Sequence, residues 1–184
     1  MARGKSSETL EWAKALIIAL LLAVVIRFFL FAPIVVEGQS MMPTLNHSDR
    51  MIVNKIGYTI GEPERFDIIV FHANEEKDYI KRVIGLPGDS IVYKEDMLFI
   101  NGEPLDEPYL EELKEQLNGG RLTYDFSLEE VTNEMIVPEG YLFVMGDNRQ
   151  HSLDSRDIGL INEEDVVGKA NIVFWPFSEI RIAR

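Results

Sequence analysis

Hydrophobic and polar positions divide the chain into two unequal parts. The first holds one long apolar run, "AKALIIALLLAVVIRFFLFAPIVV" (residues 13–36), broken between Ala15 and Ala32 only by Arg27. It is apolar on all sides rather than along one stripe, unlike a surface helix packed on a core. Crossing roughly 30 Å of hydrocarbon takes about 18–20 residues at ~1.5 Å each, so the pattern predicts a membrane-spanning helix over 15–32. Arg27 lies toward the exit, where its long stem can reach the headgroups. Phe28, Phe29 and Phe31 suit the same level, and Pro33 is expected to end the helix. Arg3, Lys5 and Lys14 precede the run. The positive-inside rule then puts residues 1–14 in the cytoplasm and residues 33–184 outside. A cleaved secretory signal is the alternative, but the exit "FLFAP" lacks a small-x-small pattern, which favours a retained anchor.

The second part alternates short apolar runs with turn signals. "IVVEG", "RMIVNKI", "FDIIVFHA", "DYIKRVIGL", "SIVYKED", "MLFING", "YLFVMGD" and "ANIVFW" are rich in Val, Ile, Phe and Tyr, the composition of strands. Gly and Pro punctuate them at "GEPERFD", "GLPGDS" and "NGEPLDEP". The expected fold is mainly β: an extracytoplasmic antiparallel domain, folded over or partly closed like a barrel. "YLEELKEQL" (109–117) has helical spacing, and "SLEEVTNEM" (127–135) is a weaker helix with Ser127 as its cap. Together they predict a small α-containing insertion over about 103–137.

Composition narrows the function. A net charge of -13 argues against a nucleic-acid partner, which would need a basic face for phosphates. The absence of cysteine removes disulfides, thiolate metal sites and cysteine nucleophiles.

Directly after the apolar run comes "EGQSMMPTL" (37–45), with Ser40 between Gly38 and Pro43. Ser40 is either a turn residue or a nucleophile that needs a base. The three histidines, His47, His72 and His151, all fall in polar surroundings or at a strand end, and each reads more simply as a solvated residue. The nucleophile-elbow pattern G-x-S-x-G is also absent, since the residues here are "GQSMM". Lysine is the other choice. "DYIKRVIGLPGD" (78–89) sets Lys81 in an apolar strand, sharing a face with Tyr79 and Val83, while Arg82 shares the other with Ile80 and Ile84. Burial disfavours the charged ammonium, and a neighbouring cation such as Arg82 pushes the same way, so Lys81 is a candidate general base. From this strand alone, a lysine snorkelling at a strand edge remains the simpler reading. A third stretch, "GDNRQHSLDSRDIG" (146–159), crowds Asp, Ser and Arg directly after an apolar strand. Asp154 and Arg156 form a natural pair there, and Ser152 is placed to hydrogen-bond a neutral lysine. The stretch lacks the D-x-[DN]-x-[DN]-G spacing of a calcium loop.

In this order after an N-terminal apolar run, "SMMPTL", "RFDIIVF", "YIKRVIGLPGD" and "GDNRQHSLDSR" resemble the motif boxes of bacterial type I signal peptidases, peptidase family S26. The single span and short insertion resemble the Gram-positive members. The resemblance implies Ser40 as nucleophile, Lys81 as general base and Ser152 as the serine that orients the lysine. Asp154 and Arg156 match the supporting pair, and Arg82 the arginine after the lysine. It implies an oxyanion hole from the Ser40 N–H and a donor at Gly38, where a serine hydroxyl stands in some members. It gives Ile34, Val36, Met41, Leu45, Tyr79 and Ile80 as walls of pockets for small residues before the cut. No metal or cofactor is implied. The implied partners are signal peptides of secreted preproteins and the lipid bilayer near the export translocon, and the implied location is the plasma membrane, single-pass. Two rivals fit less well: a self-cleaving repressor-type Ser–Lys protease, which would lack a membrane span and usually carry a DNA-binding domain, and a membrane-tethered β domain that binds without cleaving, in which Ser40 or Lys81 would typically be replaced.

Overall fold

The computed structural model describes residues 5–25, 30–55, 61–117 and 119–183. The first element is the helix α1 (Lys5–Val25). It begins well before the apolar run and takes in Glu8, Glu11 and Lys14. Among the described residues, no helix is long and apolar enough to cross a membrane. Arg3, Arg27, Phe28 and Phe29 lie outside the described residues. The expected span over 15–32 also overlaps β1 (Phe31–Val35), which holds Phe31, Ala32 and Pro33 in strand conformation. Pro33 therefore sits within an edge strand rather than ending a helix, at a position where its missing N–H costs no ladder bond.

The rest is mainly antiparallel β, as the alternation predicts. After β1 come β2 (Arg50–Asn54), β3 (Ile68–Asn74), β4 (Lys77–Gly85), β5 (Ile91–Lys94), β6 (Met97–Ile100), β7 (Glu103–Leu105), β8 (Phe126–Ser127), β9 (Tyr141–Met145), β10 (Ile161–Asn162), β11 (Val166–Trp175) and β12 (Arg181–Ile182). The large sheet runs β1-β2-β11-β3-β4-β9-β10, with β12 beside β11. Alternation along β3 sends Ile68 and Val70 into one cluster with Val36, Met41 and Leu45. Ile69 and Phe71 go into another with Val83, Leu142 and Val144. With both of its faces covered, this sheet reads as near-continuous apolar runs.

The second sheet, β7-β6-β5-β8, packs through Ile91, Tyr93, Leu98 and Phe126 against Ile84, Phe143 and Met145 of the first. The segment 103–137, expected as a small insertion, contributes β7 and β8. It shares a sheet with β5 and β6. The two expected helices form in shortened versions, α2 (Glu111–Gln116) and α3 (Leu128–Thr132). Ser127 is the cap of α3, reciprocated by Glu130, and this pairing satisfies two orphan N–H groups.

Candidate active site

Three stretches far apart in sequence converge at one cleft of about 610 Å³. They are the segment after β1, the centre of β4, and the loop after β9. Ser40 follows Gly38, whose φ of +90° is in the left-handed region that glycine tolerates. Ser40 is partly exposed, while Lys81 on β4 is 4% exposed. Lys81 Nζ lies 2.8 Å from Ser40 Oγ and donates to the Ile80 carbonyl at 3.0 Å. Burial lowers the Lys81 pKa from 10.5 to about 8, against the opposing attraction of Asp154 and Asp147.

Arg82 does not contribute to that lowering as a bare cation. It is fully buried and gripped by Asp147, with Nε 2.8 Å from Oδ1 and Nη2 2.6 Å from Oδ2. Its Nη1 donates to the Phe66 carbonyl at 2.9 Å, and its guanidinium lies 3.9 Å from the Tyr109 ring centroid. Asp147 also accepts from Thr44 Oγ1 at 2.5 Å, tying the loop to the segment just past Ser40. A buried pair of this kind is weak evidence of stabilisation, yet losing one partner strands the other charge at about 3–5 kcal/mol.

Asp154 and Arg156 do pair. Arg156 Nε donates to Oδ1 at 2.8 Å and Nη2 to Oδ2 at 2.9 Å. Asp154 also caps the short helix α4 (Ser155–Ile158) and accepts from the Gly146 N–H at 2.9 Å. Burial alone would raise its pKa, but the Arg156 bonds and charge, with the Gly146 N–H, hold it below the ordinary carboxylate value.

Ser152 stands otherwise than expected. Its Oγ is buried and makes no hydrogen bond to Lys81, which uses Ser40 and the Ile80 carbonyl instead; the Ser152 hydroxyl sits beside the Asp154 carboxylate and helps to hold its pKa down. Gly38 also has another partner, since its N–H donates to His47 Nδ1 at 3.2 Å. The remaining histidines are engaged elsewhere. His72 Nδ1 is 2.6 Å from Asp78, and His151 Nδ1 is 3.3 Å from Asn148 Oδ1 at the cleft wall.

Of the expected pocket residues, Ile34, Val36, Met41, Tyr79 and Ile80 line the cleft, joined by Val70 and Leu153. Leu45 does not. It is fully buried in the cluster behind, with Val53 and Val173. Its place follows from the turn after Ser40, where the Leu45 N–H reaches back to the Met41 carbonyl at 2.9 Å.

Sequence reasoning passed over Asp147, Asn148 and Arg149. The Asn148 N–H donates to the Ser40 carbonyl at 3.0 Å, and its Nδ2 to the Gln39 carbonyl at 3.1 Å. Their signal was present in "GDNRQ", whose polar density follows an apolar strand with no break. Among the described residues, no group of His, Cys, Asp and Glu could hold a metal ion.

Comparison with known proteins gives the same direction. Residues 9–175 match the family described as signal peptidase, peptidase S26. The chain is 50% identical over 179 residues to signal peptidase I of Bacillus caldolyticus, covering 97% of each chain. It is 42% identical over 178 residues to signal peptidase IB of Staphylococcus aureus, covering 95% of this chain and 93% of the relative. Among solved structures it is similar to a signal peptidase I from Enterococcus faecalis V583, with a TM-score of 0.56 and 44% identity. That match covers 60% of this chain and 97% of the other.

Proposed function

The chain belongs to the signal peptidase family, peptidase S26, and from that premise we propose a membrane-anchored serine endopeptidase that removes signal peptides with a Ser40–Lys81 dyad. The observation that carries this reading is the 2.8 Å approach of a buried lysine amine to a serine hydroxyl, in a cleft open to substrate. Neutral Lys81 takes the Ser40 proton, and Ser40 Oγ attacks the carbonyl carbon before the scissile bond. The negative charge that develops on the substrate carbonyl oxygen meets the Ser40 N–H. Lys81 then passes its proton to the leaving amine. Water, deprotonated by the again neutral Lys81 amine, resolves the acyl-enzyme and frees Ser40.

The supports follow the same logic. The buried Ser152 hydroxyl, beside the Asp154 carboxylate, would turn to hold Lys81 as it gains and loses its proton, since a hydroxyl can both donate and accept. Gly38 would serve as second oxyanion donor by exchanging His47 for the substrate oxygen. Asp154 with Arg156, and Arg82 with Asp147, brace the loop.

The substrate would bind as an extended strand between residues 34–38 and 78–81. Ile34, Val36, Tyr79 and Ile80, with Met41, leave shallow apolar room for small side chains, hence an A-x-A preference. The apolar run over 15–32 would anchor the enzyme beside an equally membrane-bound preprotein, raising its effective concentration. In this reading residues 33–184 lie outside the plasma membrane, near the export translocon.

The pH profile tests the base. Only the neutral amine is active, so kcat/KM is expected to rise about tenfold per pH unit below about 8 and to level off above it. A profile that is flat or falling between pH 6 and 8 would remove Lys81 from that role.

A further inference from the structure

The Arg149 guanidinium is fully buried, and its side-chain partners come from the second sheet and the segments that flank its strands. Arg149 Nη2 donates to Glu107 Oε1 at 2.5 Å, and Nη1 to Tyr93 Oη at 2.8 Å and Thr123 Oγ1 at 3.2 Å. Tyr93 and Tyr109 both donate their hydroxyls to Glu107 Oε1, at 2.7 and 2.6 Å. Burial raises both tyrosines well above their ordinary pKa, so they stay protonated as donors. Glu107, Tyr93, Thr123 and Arg149 are each 6% exposed or less.

The other side of Arg149 faces the active site. Its Nε donates to the Gly146 carbonyl at 3.1 Å, and its own carbonyl accepts from Arg156 Nη2 at 2.7 Å. Its chain neighbour Asn148 is the residue that holds the carbonyls of Gln39 and Ser40. An apolar pair of similar volume would serve burial as well or better. What a fully bonded guanidinium adds is direction, because its planar fork fixes the main chain that carries it.

We propose that Glu107 is a positioning residue for the hydrolysis: by fixing Arg149 it holds the Asn148 turn that sets the backbone of Ser40. The second sheet is then part of the catalytic apparatus. The inference rests on the Ser40–Lys81 reading above.

The test uses the full chain in detergent or lipid, a preprotein substrate and a serine-directed acylating probe. Glu107→Gln keeps the shape and removes the charge. It is expected to lower kcat about tenfold or more, with KM changed less than about twofold. Acylation by the probe is expected to slow by the same factor. Tyr93→Phe, a milder change that keeps the ring, is expected to act in the same direction and carries the test if Glu107→Gln does not fold. Combined with Asn148→Ala, either loss is expected to be less than multiplicative, since both act on one clamp.

Folded variants with wild-type kcat and acylation rate would overturn the inference and leave the dyad reading standing. So would losses that merely track the unfolded fraction, or fully multiplicative losses with Asn148→Ala. Ser40→Ala runs in the same assay. Cleavage that survives it would overturn the dyad reading, and this inference with it.

Discussion

Lys81→Met is expected to lower kcat by roughly 10³- to 10⁴-fold, the upper range for loss of a general base that also serves as acid. Methionine fills the space of the lysine stem and removes only the amine that meets Ser40 at 2.8 Å. The variant is also expected to be more stable than wild type at pH 7, and this second outcome separates lost chemistry from lost folding. The ordinary lysine value is 10.5 and the folded value about 8. Between these two values the unfolded chain holds a proton that the folded protein has released, so wild-type stability rises with pH through that window. Below about pH 8 both states carry the proton, and the folded protein bears a buried charge. Methionine has no such charge, so its advantage is greatest below pH 8 and shrinks toward pH 10.5. Chemical denaturation at pH 7 and pH 10, beside kcat, checks both halves. A Lys81→Met enzyme with substantial activity would mean that another group takes the Ser40 proton.

Gly146→Ala is expected to cost about 10²-fold in kcat/KM, the penalty of a misplacement of about 1 Å at a reacting centre. A Cβ on Gly146 would stand 2.2 Å from Ser152 Oγ, 2.6 Å from Ser152 Cβ and 2.4 Å from the Ser40 carbonyl oxygen. The last is main chain, already held by the Asn148 N–H at 3.0 Å. It cannot yield without moving the nucleophile. Gly140→Ala is the control. Gly140 has φ +77° and open space where a Cβ would go, so alanine there strains the backbone and touches nothing near the cleft. It is expected to lower the melting temperature with kcat/KM unchanged. Equal kinetic losses in the two variants would mean that Gly146 matters for conformation alone.

Much of this arrangement was legible in the sequence, for reasons that can be named. β3 and β4 pair in the register Ile69↔Lys81, and both were visible as apolar runs bounded by turns. Lys81 stood out because a cation amid "YI" and "VI" is anomalous in a strand. Asp154 and Arg156 were legible because partners two residues apart need no long-range information. What escaped was set by distance in the chain. Asp147 meets Arg82 across 65 positions, and Glu107 meets Arg149 across 42. No local pattern links such pairs, and Glu107 looked like one acid among many in a chain with 31 acidic residues. Leu45 was misjudged for a related reason, since pattern marks a residue as buried without saying whether it faces the cleft or the core behind. The short strands β7, β8, β10 and β12 carry too few residues for alternation to appear. At the N-terminus the apolar run was clear, but an unbroken run does not tell helix from strand, and Phe31 and Ala32 belong to β1.

The most direct measurement mixes the purified full chain, in detergent or lipid, with a secretory preprotein carrying A-x-A before its cleavage site. Mass spectrometry locates the cut for wild type and Ser40→Ala. Cleavage after the last alanine by wild type, with none by Ser40→Ala, is the predicted result. A folded wild type that leaves the preprotein whole, or a Ser40→Ala variant that cuts it as wild type does, would contradict the assignment of Ser40 as the nucleophile of a signal peptidase.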